Sequence, residues 1–281
     1  MKISTETLSI ARIVGEEKAV EYIAKAGFDA WDFSLHALKG IAGERAHPLT
    51  GDAYLPFVRN LKEIGLDNGI VCNQTHAPYP VENPDVRSYL KRAIECTAEA
   101  GGSICVIHPY AQITPEKNAE FYWELLPFAK SCGVKLATEN MWNWDKEKDH
   151  ATFAACQTPE SFLAHLYAVN DEDFVACLDI GHAEMRGTNT SAVEMIHALG
   201  AKLQALHIHD NDLWKDCHEI PFSMKIDFNA VMKALKQVGY RGYLTLECVY
   251  YNFEHAQERS FERVQYLAAA AKRLVQIWED A

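Results

Sequence analysis

Eight times along the chain a short apolar run is followed by a stretch with helical spacing. That alternation constrains the fold more than any other feature. The strand candidates are 2–4, 28–35, 69–74, 103–107, 134–138, 174–178, 203–206 and 243–246. The helices expected are 16–26, 54–64, 85–100, 118–131, one opening at Thr158-Pro159-Glu160, 191–199, 227–238 and 258–279, with 36–51 as a longer loop. Strand, helix, strand in sustained order calls for parallel pairing with helical crossovers. Eight such units in 281 residues match an α/β fold built as a single (β/α)8 TIM barrel, with one domain over 1–281. An open doubly wound sheet is the runner-up, and it is disfavoured because no Gly-x-Gly-x-x-Gly turn follows the first strand.

The ends of the apolar runs carry the chemistry. His76, His108, Glu139, Asp179, His207 and Glu247 stand where successive strands leave the core, and a barrel delivers such residues to one rim. In Cys177-Leu178-Asp179-Ile180-Gly181-His182, Gly181 is expected to free a turn that brings His182 back toward that opening. Carboxylate oxygens with an imidazole suit Mn²⁺, Mg²⁺, Co²⁺ or Zn²⁺. His209 alternates with His207 but lies one pleat further out, and is expected on a loop or as an outer partner of a ligand.

A formal net charge of −12 argues against a surface built to gather phosphate backbones, so nucleic acid is the weaker partner. The eight cysteines (Cys72, Cys96, Cys105, Cys132, Cys156, Cys177, Cys217, Cys248) form no Cys-x-x-Cys pair. They read as small buried hydrophobes in a reducing compartment. With no long apolar leader and no apolar run of about 18 residues, a cytoplasmic protein without a membrane partner is expected. The sequence is compatible with a homo-oligomer and does not fix the assembly.

Ala-Thr-Glu139-Asn, Leu-Asp179-Ile-Gly-His182, Leu-His207-Ile-His-Asp210-Asn-Asp and Leu-Thr-Leu-Glu247 resemble the xylose-isomerase-like TIM-barrel superfamily over nearly the whole chain. The resemblance implies a divalent-metal-dependent isomerase or epimerase of a small carbohydrate, a sugar or sugar phosphate, acting through an enediolate. Glu139, Asp179, His207 and Glu247 would be ligands of one metal, Glu139 and Glu247 would also transfer protons, and His182 would relay a proton or bind a hydroxyl. Trp142 and Trp214, with Trp144, would cover the apolar face of the sugar. The ketose 3-epimerase branch is expected to carry an Arg after the seventh strand, where Lys215 is here the nearby cation. No Gly-rich phosphate cradle follows strands seven and eight.

The endonuclease IV branch is similar too. His76, His108 and His182 match its extra histidines, with neutral imidazoles bonding substrate hydroxyls an equal alternative for His76 and His108, and Asp216-Cys217-His218 resembles its Asp-x-His element. The alternative reading is therefore a multi-zinc phosphodiesterase that cleaves DNA at abasic sites, with more than one Zn²⁺. The loop 36–51 offers only Lys39 and Arg45 as fixed positive charges, which favours the sugar.

Overall fold

A computed structural model describes residues 1–39, 47–253 and 259–281. Arg45 and the rest of 40–46, and residue 258 of the expected last helix, lie outside the described residues. The strands are β1 (Lys2–Glu6), β2 (Ala30–Ser34), β3 (Val71–His76), β4 (Ile104–Val106), β5 (Lys135–Glu139), β6 (Phe174–Asp179), β7 (Leu203–His207) and β8 (Tyr243–Leu246). They pair in parallel in chain order, and β8 pairs with β1 in the register Lys2 to Tyr243. Closure between β7 and β8 runs through Ile208, whose N–H donates to Thr245 O at 2.9 Å and whose carbonyl accepts from Glu247 N–H at 2.9 Å. The eight-strand barrel expected from the alternation is the one formed.

Parallel strands covered on both faces need apolar side chains on both, and all six residues of β6 are buried. Most of the core lies between barrel and helices. There Tyr122 packs between Phe121 and Phe174 at 4.9 and 4.4 Å, and its hydroxyl donates to Ile107 O at 2.8 Å and is hydrogen-bonded with Thr138 Oγ1 at 3.0 Å. Thr114 and Thr158 cap their helices with Pro at the first turn, where the missing N–H has no helical partner to lose.

The barrel interior is divided. Val106, Ala137, Val175, Cys177 and Ala205 make one apolar side. On the other, Ser4 Oγ donates to Asn73 Oδ1 at 2.6 Å, Asn73 Nδ2 to Thr245 Oγ1 at 3.2 Å, and Gln74 Nε2 to Asp32 Oδ2 at 3.0 Å. Buried polar groups are tolerated because they satisfy one another.

Four local expectations change. β3 runs two residues past Gln74 and carries His76 within the strand, since Pro78 constrains only the residue before it. The helix read over 85–100 divides at Tyr89 into Pro84–Ser88 and Leu90–Ala100. Leu8–Val14 is helical although only Ser9 and Ile10 are buried, too few to give a periodic signal. A hairpin of Asn143–Asp145 and His150–Thr152 follows β5. Three-residue strands are too short to show alternation, and this hairpin is held by docking, with Ala151 N–H donating to Arg186 O at 3.1 Å.

Candidate metal centre

Each strand that ends in a donor places it at one mouth. Glu139, Asp179, His207 and Glu247, from β5, β6, β7 and just past β8, offer ligand atoms that all lie within 4.8 Å of one another. The four residues singled out from the sequence are thus brought together. His207 Nδ1 is 2.9 Å from Glu139 Oε1 and 3.7 Å from Glu247 Oε2. His108 Nε2 and His76 Nε2 approach Glu139 Oε2 at 3.2 and 3.6 Å, so both further histidines join the same carboxylate. Asn140 fixes the Asp179 main chain from both sides, at 2.8 and 2.9 Å.

A second group stands beside the first. His182, His209, Asp216 and His218 also place ligand atoms within 4.8 Å of one another. His182 Nε2 and His218 Nε2 lie 3.5 and 3.1 Å from Asp216 Oδ2, and His209 Nε2 lies 3.4 Å from Asp216 Oδ1. His209 is fully buried and stands on the loop past β7, as expected, with its Nε2 among the donor atoms of this cluster. Alternation from His207 could not show this, because β7 ends at His207 and the backbone beyond no longer follows the pleat. Gly181 sits inside the short helix Ile180–Ala183 rather than freeing a turn. Its missing Cβ leaves the space the His209 ring occupies.

Both groups have the chemistry of a divalent cation site. Glu139 Oε2, Asp179 Oδ2, His209 Nε2 and Asp216 Oδ1 are buried without a hydrogen-bond partner, and leaving such atoms unmet costs about 1–3 kcal/mol each. An imidazole that donates Nδ1–H to a carbonyl presents Nε2 as a lone pair, the form that binds metal. His76, His182 and His218 place Nδ1 2.8, 2.9 and 2.8 Å from the carbonyls of Ala77, Asn140 and Glu247. His207 is reversed: Nδ1 faces the carboxylates while Nε2 lies 3.3 Å from Asp32 Oδ2.

Charge couples the residues strongly. Burial pushes the Glu139 carboxyl up, but His207, His108 and His76 outweigh it and hold it well below the usual range. Asp179 and Asp216 are lowered against the same burial penalty, by His182 and His209 in one case and by His218 and His182 in the other. Burial opposes the charged imidazoles, yet carboxylates raise His182 well above the ordinary value and His218 to about 10, and Cys177, Glu247 and Glu139 raise His207 well above it. Burial dominates at His108, which is lowered.

The aromatic candidates separate. Trp142 lies 6.4 Å from the His182 ring and 6.3 Å from Trp144, whereas Trp214 packs under the Arg186 guanidinium at 4.6 Å. Tyr79, which sequence reasoning passed over, stacks on His108 at 4.6 Å and 21°. Tyr250 meets His218 edge-on at 5.6 Å. Glu6 and Asp32 were also missed. Glu6 is the last residue of β1, and the same strand-end rule would have found it. Burial pushes its carboxyl up to about 7.

Fold and site define a (β/α)8 barrel with a polydentate carboxylate and imidazole mouth. The family model described as xylose isomerase-like TIM barrel matches residues 20–274, and the chain belongs to that family. An uncharacterized protein of Methanocaldococcus jannaschii is 27% identical over 249 residues, 82% of this chain and 78% of the relative. Among solved structures, a D-tagatose 3-epimerase-like protein superposes with a TM-score of 0.72 at 22% identity, covering 100% of this chain and 99% of the other. A 3-keto-D-glucoside 4-epimerase from E. coli gives 0.69 at 16% identity, covering 96% and 99%. These likenesses establish the fold.

Proposed function

We propose that the protein is a divalent-metal-dependent isomerase or epimerase of a small carbohydrate, working by proton transfer through an enediolate. The observation that carries this reading is the oxygen-rich group Glu139, Asp179, His207 and Glu247, with ligand atoms within 4.8 Å of one another. Three carboxylates and one imidazole suit Mn²⁺, Mg²⁺, Co²⁺ or Zn²⁺. Such an ion, held there, supplies the polarisation of adjacent carbonyl and hydroxyl oxygens that makes the sugar C–H acidic enough.

The remaining chemistry falls to side chains of this chain. Glu139 and Glu247 come from strands three apart around the barrel, so they reach the substrate from different directions. Glu139, held as a carboxylate by its three histidines, takes the proton, and Glu247 returns one. His76 and His108 bind hydroxyls, and Tyr79 and Trp142 cover the apolar face of the sugar. His182 goes with the second cluster rather than with proton relay, because its Nε2 faces Asp216. The epimerases that share this barrel support the reaction class, and no feature selects a phosphorylated substrate. Among the described residues no helix is long and apolar enough to cross a membrane, and all eight cysteines are free.

Deuterium incorporation from D₂O into a panel of ketoses, followed by NMR, tests the assignment. Glu247→Gln is expected to lower exchange by about 10²–10⁴-fold. A metal-loaded wild type that exchanges no sugar proton refutes the proposal. The second cluster, together with His76 and His108 on Glu139, favours one other reading, a multi-zinc phosphodiesterase. Cleavage of duplex DNA at an abasic site by zinc-loaded protein would establish it.

A further inference from the structure

We infer that His209 closes the second cluster into a four-ligand zinc site that braces the mouth of the barrel and takes no part in turnover. The two groups differ in kind. One offers three carboxylates and one imidazole, the other three imidazoles and one carboxylate. Oxygen-rich sites suit hard cations, which take six ligands and leave positions for substrate, whereas nitrogen-rich sites suit zinc with four. A catalytic zinc keeps a position for water, and a zinc with four protein ligands does not. With His182, Asp216 and His218 alone the site would stay open. His209 fills it.

The His209 position is built rather than incidental. The side chain is fully buried, and its Nε2 has no hydrogen-bond partner although it lies 3.1 Å from Asp179 Oδ1 and 3.4 Å from Asp216 Oδ1. Its ring stacks on His218 at 4.0 Å and 19°. A Cβ at Gly181 would overlap that ring, so Gly181 makes the room. Nδ1 of His182, His209 and His218 lies 2.9, 3.3 and 2.8 Å from the carbonyls of Asn140, Asp210 and Glu247. The main chain after β5, β7 and β8 therefore aims all three Nε2 atoms at Asp216. A zinc there ties the β7–β8 loop to the segments that carry the oxygen-rich group, and it fixes the second wall of the cleft.

The test uses the full chain, loaded with Zn²⁺ and dialysed against EDTA, with zinc per chain measured by mass spectrometry. Replacing zinc by Co²⁺ then reports coordination through its visible spectrum. Wild type should keep one chelator-resistant zinc and show the intense visible absorption of four-coordinate cobalt. His209→Ala, and Gly181→Ala which keeps all four donors but displaces the ring, should each weaken zinc affinity by at least about 10-fold. His209→Cys, which restores a donor, should recover it. No retained zinc, the weak spectrum of six-coordinate cobalt, or wild-type zinc affinity in His209→Ala would each overturn the inference. The wild-type spectrum needs no variant to fold. None of these readouts involves turnover, so their failure would leave the carbohydrate reading standing, and the reverse holds as well.

Discussion

Asp32→Asn tests the metal centre from beneath. Asp32 Oδ2 lies 3.3 Å from His207 Nε2 and accepts from Gln74 Nε2 at 3.0 Å. The arrangement is that of a carboxylate orienting a ligating histidine, so that Nε2 carries the proton and Nδ1 the lone pair. The substitution keeps the shape of the side chain and removes the acidic group. Losing such an outer partner costs about 10–100-fold in metal affinity, or about 1.4–2.8 kcal/mol. Folding should suffer far less, because His207 keeps Glu139 at 2.9 Å on its other nitrogen and because Asp32 Oδ1 has no hydrogen-bond partner to lose. Calorimetric titration of EDTA-treated protein with Mn²⁺ gives the affinity, and denaturant unfolding in EDTA gives the stability. Wild-type affinity in Asp32→Asn refutes the argument. So does a loss of stability as large as the loss of binding, which would make Asp32 a structural residue only.

The same ionisable groups predict opposite pH profiles with and without metal. Glu139, Asp179 and Asp216 are lowered, so their contribution is present above the ordinary carboxylate range of about 4 and is lost as pH falls through the depressed values. His182, His207 and His218 are raised, so theirs is complete below about 6.5 and declines as pH rises, for His218 through about 10. Glu6, raised to about 7, acts in the same direction as the histidines, and His108 and His165, lowered by burial, oppose them. EDTA-treated protein should therefore melt highest between about pH 5 and 6.5, while the gain from added Zn²⁺ or Mn²⁺ should grow with pH as ligands shed protons. A Tm in EDTA that rises from pH 6.5 to 9 contradicts this. In the core, Tyr122→Phe removes two hydrogen bonds from a fully buried hydroxyl. It should cost about 1–2 kcal/mol in denaturant unfolding, with exchange of sugar protons unchanged; a neutral result would show that Ile107 O and Thr138 find water.

Much of this protein is legible in one dimension because a barrel strand repeats a local rule: an apolar run, then a donor where the run ends. Glu139, Asp179, His207 and Glu247 each obey it, so the group around the first cation could be listed before its geometry was known. His209 does not, since the chain leaves the pleat after His207 and only the stack on His218 and the space over Gly181 reveal its direction. Asp32 is similarly hidden. It sits inside β2 between Trp31 and Phe33, where alternation marks a side chain facing the barrel interior but cannot say that His207, 175 positions away, faces it.

What the sequence by itself determined is the periodicity, and with it the eight strand–helix units and the set of donors at their ends, because burial and backbone hydrogen bonding act over neighbouring residues. Which donors share a cation was decided only by tertiary structure. Closure of the barrel through Ile208 fixes distances between residues a hundred or more positions apart, and the distances between donor atoms sort them into an oxygen-rich group and a nitrogen-rich one.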